Sequence, residues 1–390
     1  MPNKPHILFF TPWYPNRYDN MLGLFVRKHA EAVSRFAEVS VLYLLADENV
    51  KIFDIITQTT NGVREIYVYF PFCHNKLFSR FSQLFNYWRA YRKAYKMLLQ
   101  QTSQPVCCQA NILTKSGVLA YLLKKKYHIP YVIMEQWCRY LPEDKTYKGF
   151  FRKRITEKVV KEADAVMAVS DFLKQSMIQR GLKNNNYQVV RNVVDDFFYE
   201  RQTKLSHDKC RILHVSCFEE CSKNMCGMLR AMQQLFKQRD DFEFIMIGNG
   251  IDYEQTIAYA KTLDLGEDKV KFLGEKTPQE VCNWLYQSDV FLLFSNYETD
   301  SVVISESLAV GCPIVTTQIE AIAEKVSEKE GISVPIADEK ALVEALNFMI
   351  DHYQDFDVES IREVGQQYTC ECIGKQLFNV YENAMDKSKH

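Results

Sequence analysis

The chain has 390 residues, 47% of them hydrophobic and 25% charged, with a net charge of −1. That length is too great for one ordinary core and implies two domains of about 200 residues or fewer, while no apolar run reaches the roughly 18 residues of a membrane span. The neutral balance hides a split: residues 1–200 hold 29 Lys and Arg against 17 Asp and Glu, the remainder 19 against 32, and no acid stands between Glu65 and Glu135. A first half so basic is expected to meet something anionic.

From the N-terminus, Met1-Pro2-Asn3-Lys4-Pro5-His6 leads directly into the apolar run Ile7–Phe10. The basic stretch, long apolar region and cleavage site of a secretory signal are missing there, so a cytoplasmic setting is expected, in which the 12 cysteines stay as free thiols. Short β-rich runs then alternate with helical patterns, which predicts an α/β class with parallel sheets. Strands are predicted over 6–10, 39–45, 65–69, 106–112, 131–134, 165–169 and 188–190. Helices are predicted over 21–36, 77–101, 116–127, 150–163 and 171–180.

The polar residues 200–208 read as a linker, giving a first domain over 1–200 and a linker over 201–209. The pattern restarts with strands over 211–215, 242–247, 270–273, 290–294 and 314–316, and helices over 224–237, 253–263, 278–288 and 302–310. A second doubly wound domain over 210–360 is thus expected, followed by a helical region over 361–390 that crosses back to the first domain. Ligands of open parallel sheets sit beyond the carboxyl ends of the strands, which makes a cleft between two such domains the expected site. Cys217, Cys221 and Cys226 lie close together, but their spacing is not that of a zinc knuckle and no metal is expected.

The segment Ser295-Asn296-Tyr297-Glu298-Thr299-Asp300-Ser301-Val302-Val303-Ile304-Ser305-Glu306 carries most of the chemistry. A strand ends, a polar turn follows, and a helix begins near Ser301 or Val302, offering free N–H groups and a positive dipole end to a phosphate. Asp300 or Ser301 serves equally well as an ordinary N-cap. Glu306 falls on the face of Val302 and Ala309, where a carboxylate needs a bonding partner. A sugar diol and a buried ion pair both meet that need. Gly248-Asn249-Gly250 after a strand lacks the third glycine of a dinucleotide loop.

Glu298, seven residues, and Glu306 followed by Ser-Leu-Ala-Val-Gly-Cys-Pro-Ile-Val resembles the signature of retaining glycosyltransferases of the GT-B fold, family 4. Ile7–Pro15 with Gly23-Leu24-Phe25-Val26 is similar to that family's opening strand and glycine loop. Ala163–Ser170, Val190-Arg191-Asn192-Val193-Val194-Asp195, Ile245–Gly250, Phe272-Leu273-Gly274 and Gly331–Pro335 match in order and spacing. The resemblance implies two Rossmann-like doubly wound domains facing across a cleft, and transfer of a hexose or N-acetylhexosamine from a UDP- or GDP-sugar to a saccharide. It implies a nucleotide diphosphate sugar as co-substrate, no cofactor and no obligatory metal. Glu298 would contact the donor sugar and Glu306 the ribose. Amides around Ser301, Val302 and Val303 and the Gly23 loop would cradle the diphosphate, with Asp300, Gly248 and Gly274 alongside. Lys223 matches the diphosphate lysine; composition alone reads it as a solvated helix-start residue.

Three departures from the family pattern stand out. Cys217 occupies the position of a frequent arginine, Gln136 that of a frequent histidine facing the sugar, and Thr299 that of a frequent glycine. Glutamine keeps the hydrogen-bonding capacity but cannot become cationic. A nucleotide-sugar epimerase and a non-catalytic nucleotide- or membrane-binding protein of the same architecture are the alternatives. Neither nucleic acid nor a cofactor is expected.

The 77–101 helix combines Phe78, Phe81, Leu84, Phe85, Trp88, Tyr91, Tyr95, Leu98 and Leu99 with Arg80, Arg89, Arg92, Lys93 and Lys96. It reads either as a core-facing helix with a wet charged side or as a helix lying on an anionic membrane surface. With Lys124-Lys125-Lys126 and Arg152-Lys153-Arg154 in the same half, the second reading makes a lipid-linked saccharide accessible as acceptor.

Overall fold

The computed structural model describes residues 4–72, 79–113 and 115–387, with the backbone alone at 79–81. The chain forms two units: Met1–Val193 together with Cys370–His390, and Val194–Thr369.

The first unit holds eight strands, β1 (His6–Thr11), β2 (Glu38–Asp47), β3 (Asp54–Thr60), β4 (Val63–Pro71), β5 (Cys107–Asn111), β6 (Tyr131–Glu135), β7 (Ala165–Ala168) and β8 (Tyr187–Val189). Their order is β3-β4-β2-β1-β5-β6-β7-β8, parallel throughout except for β3 against β4. Every residue of β1, β5, β6 and β7 is buried, as expected of inner parallel strands, and the buried polar side chains among them are bonded internally, Gln109 to Asn111 at 2.8 Å and Glu135 to the Leu113 N–H at 2.9 Å. β3 is absent from the prediction. It is an exposed edge strand rich in Thr and Gln, joined to β4 by the two-residue turn Asn61-Gly62 that commonly closes hairpins.

The second unit holds β9 (Cys210–Val215), β10 (Phe242–Ile247), β11 (Val270–Phe272), β12 (Val290–Leu293), β13 (Ile314–Thr317) and β14 (Gly331–Val334), all parallel, in the order β11-β10-β9-β12-β13-β14. Helix Met225–Phe236 packs one apolar face onto this sheet: Met228, Met232 and Leu235 join Phe242, Phe244, Leu342 and Leu346 in one core. The strand order reverses between β9 and β12, and a crevice at the carboxyl ends follows from that reversal.

Two predicted boundaries are corrected. Residues 201–209 are not a free linker, because the change of unit lies upstream, at Val193–Val194. Residues 194–207 are fastened along the second unit. Arg362 donates to the Tyr199 carbonyl (2.8 Å), Gln202 to Asn283 (3.1 Å), and Lys204 and His207 both reach the Asp289 carboxylate at 2.6 Å. Polar sequence here means many hydrogen bonds to one body and not solvent exposure between two. The return to the first unit comes at Cys370, so helix Val358–Gly365 stays with the second unit and only helix Cys370–Lys387 belongs to the first. There Phe378 stacks on Phe36 at 5.8 Å, and the Tyr381 hydroxyl donates to Gln109 on β5.

Candidate active site

In the second domain the loops after β9 and β12 are tied together. The Asn296 N–H donates to the Ser222 carbonyl (2.8 Å) and its side-chain amide to the Cys221 carbonyl (3.1 Å). The short helix Glu220–Lys223 that these bonds grip starts with an amide held by the Asp252 carboxylate (2.8 Å). The clamp brings Lys223 onto Glu298: the ammonium donates to Oε1, and the Ser295 hydroxyl donates to the same oxygen at 2.8 Å. Ser295 is itself fixed through its carbonyl, which accepts from the Thr317 hydroxyl (2.8 Å). Both ends of the pair are largely withdrawn from water, Lys223 at 14% and Glu298 at 8% exposure. Burial pulls the Lys223 ammonium down, but the Glu298 carboxylate outweighs it and the amine is held above the ordinary lysine value. Lys223 is thus a fixed cation, not the solvated residue that composition suggests.

Helix Val302–Val310 begins one residue beyond this pair's loop. Ser301 occupies its N-cap position at φ 42°, ψ 94°, a conformation costly for a residue with a Cβ, and its side chain makes no capping bond. The expected capping by Ser301 or Asp300 is therefore corrected. Asp300 is 1% exposed and pairs instead with the fully buried Lys325 at 2.7 Å. The Lys325 ammonium also donates to the carbonyls of Asp300 and Ser301 and to the Ser305 hydroxyl (2.8 Å). One buried cation thereby holds the strained turn in place. The amides of Val302 and Val303, both half-buried, open a first turn with no side-chain cap and a positive dipole end. Glu306 sits one turn on, 6% exposed, in a helix buried from Ile304 to Val310.

Lys325 has no counterpart in the sequence analysis. It follows Glu324 in a charged stretch, 320–330, that reads as an ordinary wet turn, so nothing local marks it as a buried cation.

Gly248 and Gly274 are joined to each other, the first donating its N–H to the carbonyl of the second (2.9 Å). At Gly248, with φ 138°, a Cβ would stand 1.8 Å from the Ser216 carbonyl oxygen, so the loops after β9 and β10 touch backbone to backbone. Beneath them His214 on β9 is fully buried between the Leu292 carbonyl (2.9 Å) and the Ser216 hydroxyl (2.7 Å). Burial lowers this imidazole to about 4. Its neutral form is the folded one, so acidification through 6.5 protonates the unfolded chain first and stability falls until about pH 4. A loss of about 2 kcal/mol between pH 7 and 5 is expected from this group alone. Urea unfolding at the two pH values checks it, with the increment missing in His214→Gln.

In the first domain Gly23 and Gln136 stand in neighbouring loops. Gly23, φ 65°, precedes helix Leu24–Ser34, and a Cβ there would lie 2.3 Å from the Trp13 carbonyl oxygen. Trp13 meets Trp137 at 4.8 Å between ring centroids. Glu135, fully buried, shapes the second loop by accepting from the N–H groups of Gln136 (2.9 Å), Trp137 (3.0 Å) and Leu113 (2.9 Å). Burial raises its carboxyl despite these three bonds. His29 must donate Nε2–H to the Arg191 carbonyl (3.0 Å), which leaves Nδ1 to accept from the Gln136 amide at 3.0 Å. Gln136 Oε1 is then buried without a partner, an acceptor suited to a hydroxyl.

The basic residues of the long helix form a separate surface. Helix Ser79–Gln101 buries Ala90, Tyr91, Ala94, Tyr95 and Leu98 and leaves Leu84 and Phe85 exposed, so it is core-facing along one face and apolar on part of the other. Arg89, Arg92, Lys93 and Lys96 lie along it; the side chain of Arg80, like residues 77 and 78, lies outside the described residues. Among the described residues no helix is long and apolar enough to cross a membrane, and no group of three His, Cys, Asp or Glu side chains is placed to hold a metal.

Residues 209–352 match the family "Glycosyl transferases group 1" and residues 28–193 the "Glycosyl transferase 4-like domain", which together take in most of the chain. The chain is similar to N-acetyl-alpha-D-glucosaminyl L-malate synthase of Bacillus anthracis, 23% identical over 243 residues, 59% of this chain and 62% of that protein. It is also similar to the phosphatidylinositol N-acetylglucosaminyltransferase GPI3 subunit of Saccharomyces cerevisiae, 26% identical over 239 residues, 58% of this chain and 52% of that one. The chain thus spans between half and two thirds of the length of these curated relatives. Anabaena Alr3699/HepE, solved in complex with UDP and glucose, superposes with a TM-score of 0.72 at 17% identity, over 96% of this chain and 99% of that one. That likeness shows the fold.

Proposed function

The chain belongs to the family 4-like glycosyltransferases of the GT-B fold, and from that premise we propose that it transfers a hexose or N-acetylhexosamine from a nucleotide diphosphate sugar to a saccharide acceptor with retention of configuration. The observation that carries this reading is the Lys223–Glu298 pair beside the uncapped start of helix Val302–Val310, with Glu306 buried one turn on. A diphosphate suits the helix start, through its free amides and positive dipole end. Lys223, a fixed cation in a dry site, opposes the charge that grows on the departing diphosphate. Glu298 meets the sugar near its reacting carbon, and Glu306 accepts from the ribose hydroxyls. Gln136 Oε1 in the first domain accepts from a sugar hydroxyl. The leaving diphosphate takes the acceptor's proton, so neither a protein nucleophile nor a metal enters the scheme.

UDP is the favoured nucleotide, since a structural neighbour carries UDP and glucose and two relatives bear N-acetylglucosaminyl names. A lipid-linked saccharide at the inner face of the cell membrane fits the basic first domain as acceptor. Calorimetric titration of UDP and of GDP into the wild type and Glu306→Ala tests the donor site. UDP is expected to bind, with or without EDTA, and the substitution to weaken it about tenfold or more, a loss of about 1.4 kcal/mol or above. Absence of binding by either nucleotide to the wild type would remove the donor site from this helix start.

A further inference from the structure

The first domain carries a second candidate site, away from the carboxyl ends of β1 and β6 that the Gly23 and Gln136 loops follow. Helices Ser79–Gln101 and Lys115–Tyr127 each start at the carboxyl end of a strand and run back toward the amino end of the next. Between their later halves lies a groove of about 860 Å³, a volume sufficient for a small ligand. Its floor is a run of aromatic rings. Trp88 meets Tyr91 at 5.3 Å, Tyr91 meets Tyr95 at 5.9 Å and Tyr95 meets Tyr127 at 6.1 Å between centroids. Arg92, Lys93, Lys96 and Lys126 line it, and none of the four makes an ion pair with any described residue. The sequence offers no local acid, since none lies between Glu65 and Glu135.

The deciding group is Tyr95. It lines the groove, is 7% exposed, and its hydroxyl has no hydrogen-bond partner. A buried hydroxyl without a partner is costly, and burial also pushes this phenol above the ordinary tyrosine range, so it persists as an O–H donor. A donor at the bottom of an aromatic trough ringed by unpaired cations is complementary to a phosphate whose attached group lies against rings. The rim is apolar as well: Leu99 and Leu122 are 41% and 37% exposed.

We propose that this groove is a headgroup site for an anionic glycerophospholipid, the phosphate accepting from the Tyr95 hydroxyl and pairing with Lys96 and Lys126, the glycerol lying on the rings and the chains leaving over the rim. The proposal rests on, and sharpens, the reading of the first domain as a membrane-surface domain. A soluble glycerol phosphate presents the same phosphate, and the test separates the two sources.

Tyr95→Phe keeps the ring and removes a hydroxyl that bonds nothing in the protein, so the variant folds. Binding is read by co-sedimentation with phosphatidylcholine vesicles with and without phosphatidylglycerol, for the wild type, Tyr95→Phe and the pair Lys96→Gln/Lys126→Gln. Expected are wild-type binding that requires phosphatidylglycerol, a roughly tenfold loss in Tyr95→Phe, a larger loss in the double-lysine variant, and unchanged UDP titration in all. If Tyr95→Phe binds as the wild type does, the groove is not the headgroup site, while the membrane-surface reading survives on the remaining charge. If the wild type ignores both vesicles, both readings fall. If glycerol 3-phosphate binds the wild type and the vesicles do not, the lipid assignment is overturned in favour of a soluble phosphate.

Discussion

Lys325→Met is expected to destabilise the second domain by about 3–5 kcal/mol and to abolish measurable nucleotide binding. The reasoning starts from burial, since Lys325 and Asp300 are 0% and 1% exposed and 2.7 Å apart. Taking away one member of such a pair leaves the other charge uncompensated in a dry interior, which is where losses of that size come from. Here the loss includes the carbonyls of Asp300 and Ser301, which the same ammonium ties down. With its carbonyl released, Ser301 is expected to leave the costly φ of 42°, and the turn to relax and re-aim the first amides of helix Val302–Val310. The double variant Asp300→Asn/Lys325→Met separates stability from function. Without a stranded carboxylate it should regain most of the unfolding free energy in urea, yet titrate with UDP no better than the single variant. Recovery of both together would mean that the pair serves folding alone.

Lys223→Ala should lower the turnover number by about 10²- to 10³-fold, the range found when one preorganised charge-stabilising donor is removed. Acceptor KM should stay near its wild-type value, because the lysine meets charge that appears only as the sugar leaves. The substitution also leaves Glu298 without its cation, although the Ser295 hydroxyl remains on the same oxygen. A modest loss of stability is therefore expected beside the large kinetic one. The Glu298 carboxylate holds the ammonium above the ordinary lysine value, so Lys223 stays charged from pH 6 to beyond 9. No limb of the pH–rate profile in that window should belong to it. Steady-state kinetics with purified donor and acceptor measure all three quantities. A fall of less than threefold in turnover would place the leaving-group charge elsewhere.

Most of the architecture can be read from residue pattern, because buried parallel strands are continuous apolar runs and their helices are periodic. β10 and helix Val302–Val310 begin and end where the pattern places them. What escapes is polar or short. β3 is a Thr- and Gln-rich edge strand whose pairing depends on β4 and on the Asn61-Gly62 turn. Helix Glu339–His352 is assigned no element, although Asp338 caps it and Leu342, Leu346 and Met349 repeat at helical spacing. Residues 200–208 show how composition misleads, since a hydrophilic stretch satisfied by Asn283 and Asp289 looks the same as one satisfied by water.

At the candidate site, Glu298 and Glu306 stand out through the spacing that carries the family resemblance, and Gly248 and Gly274 through the turns after β10 and β11. The supporting shell was not. His29 reads as one more member of an amphipathic helix face, yet it fixes which end of the Gln136 amide stays unbonded. Lys325 lies 25 residues from the carboxylate it neutralises. Neither relation has a local period, because each joins segments that are close in space and far apart in sequence.

The closing helix of the first domain has a consequence for synthesis. Its Tyr381 hydroxyl bonds Gln109 across 272 residues of chain, and the whole second domain is translated in between. At about 5–20 residues per second, the ribosome takes on the order of tens of seconds to cover that gap. For all that time the nascent first domain lacks the helix that covers Phe36 and its neighbours on helix Leu24–Ser34. The unit that begins first is finished last, and a chain released early would keep a complete second domain while its first presents an uncovered apolar face to chaperones and proteases.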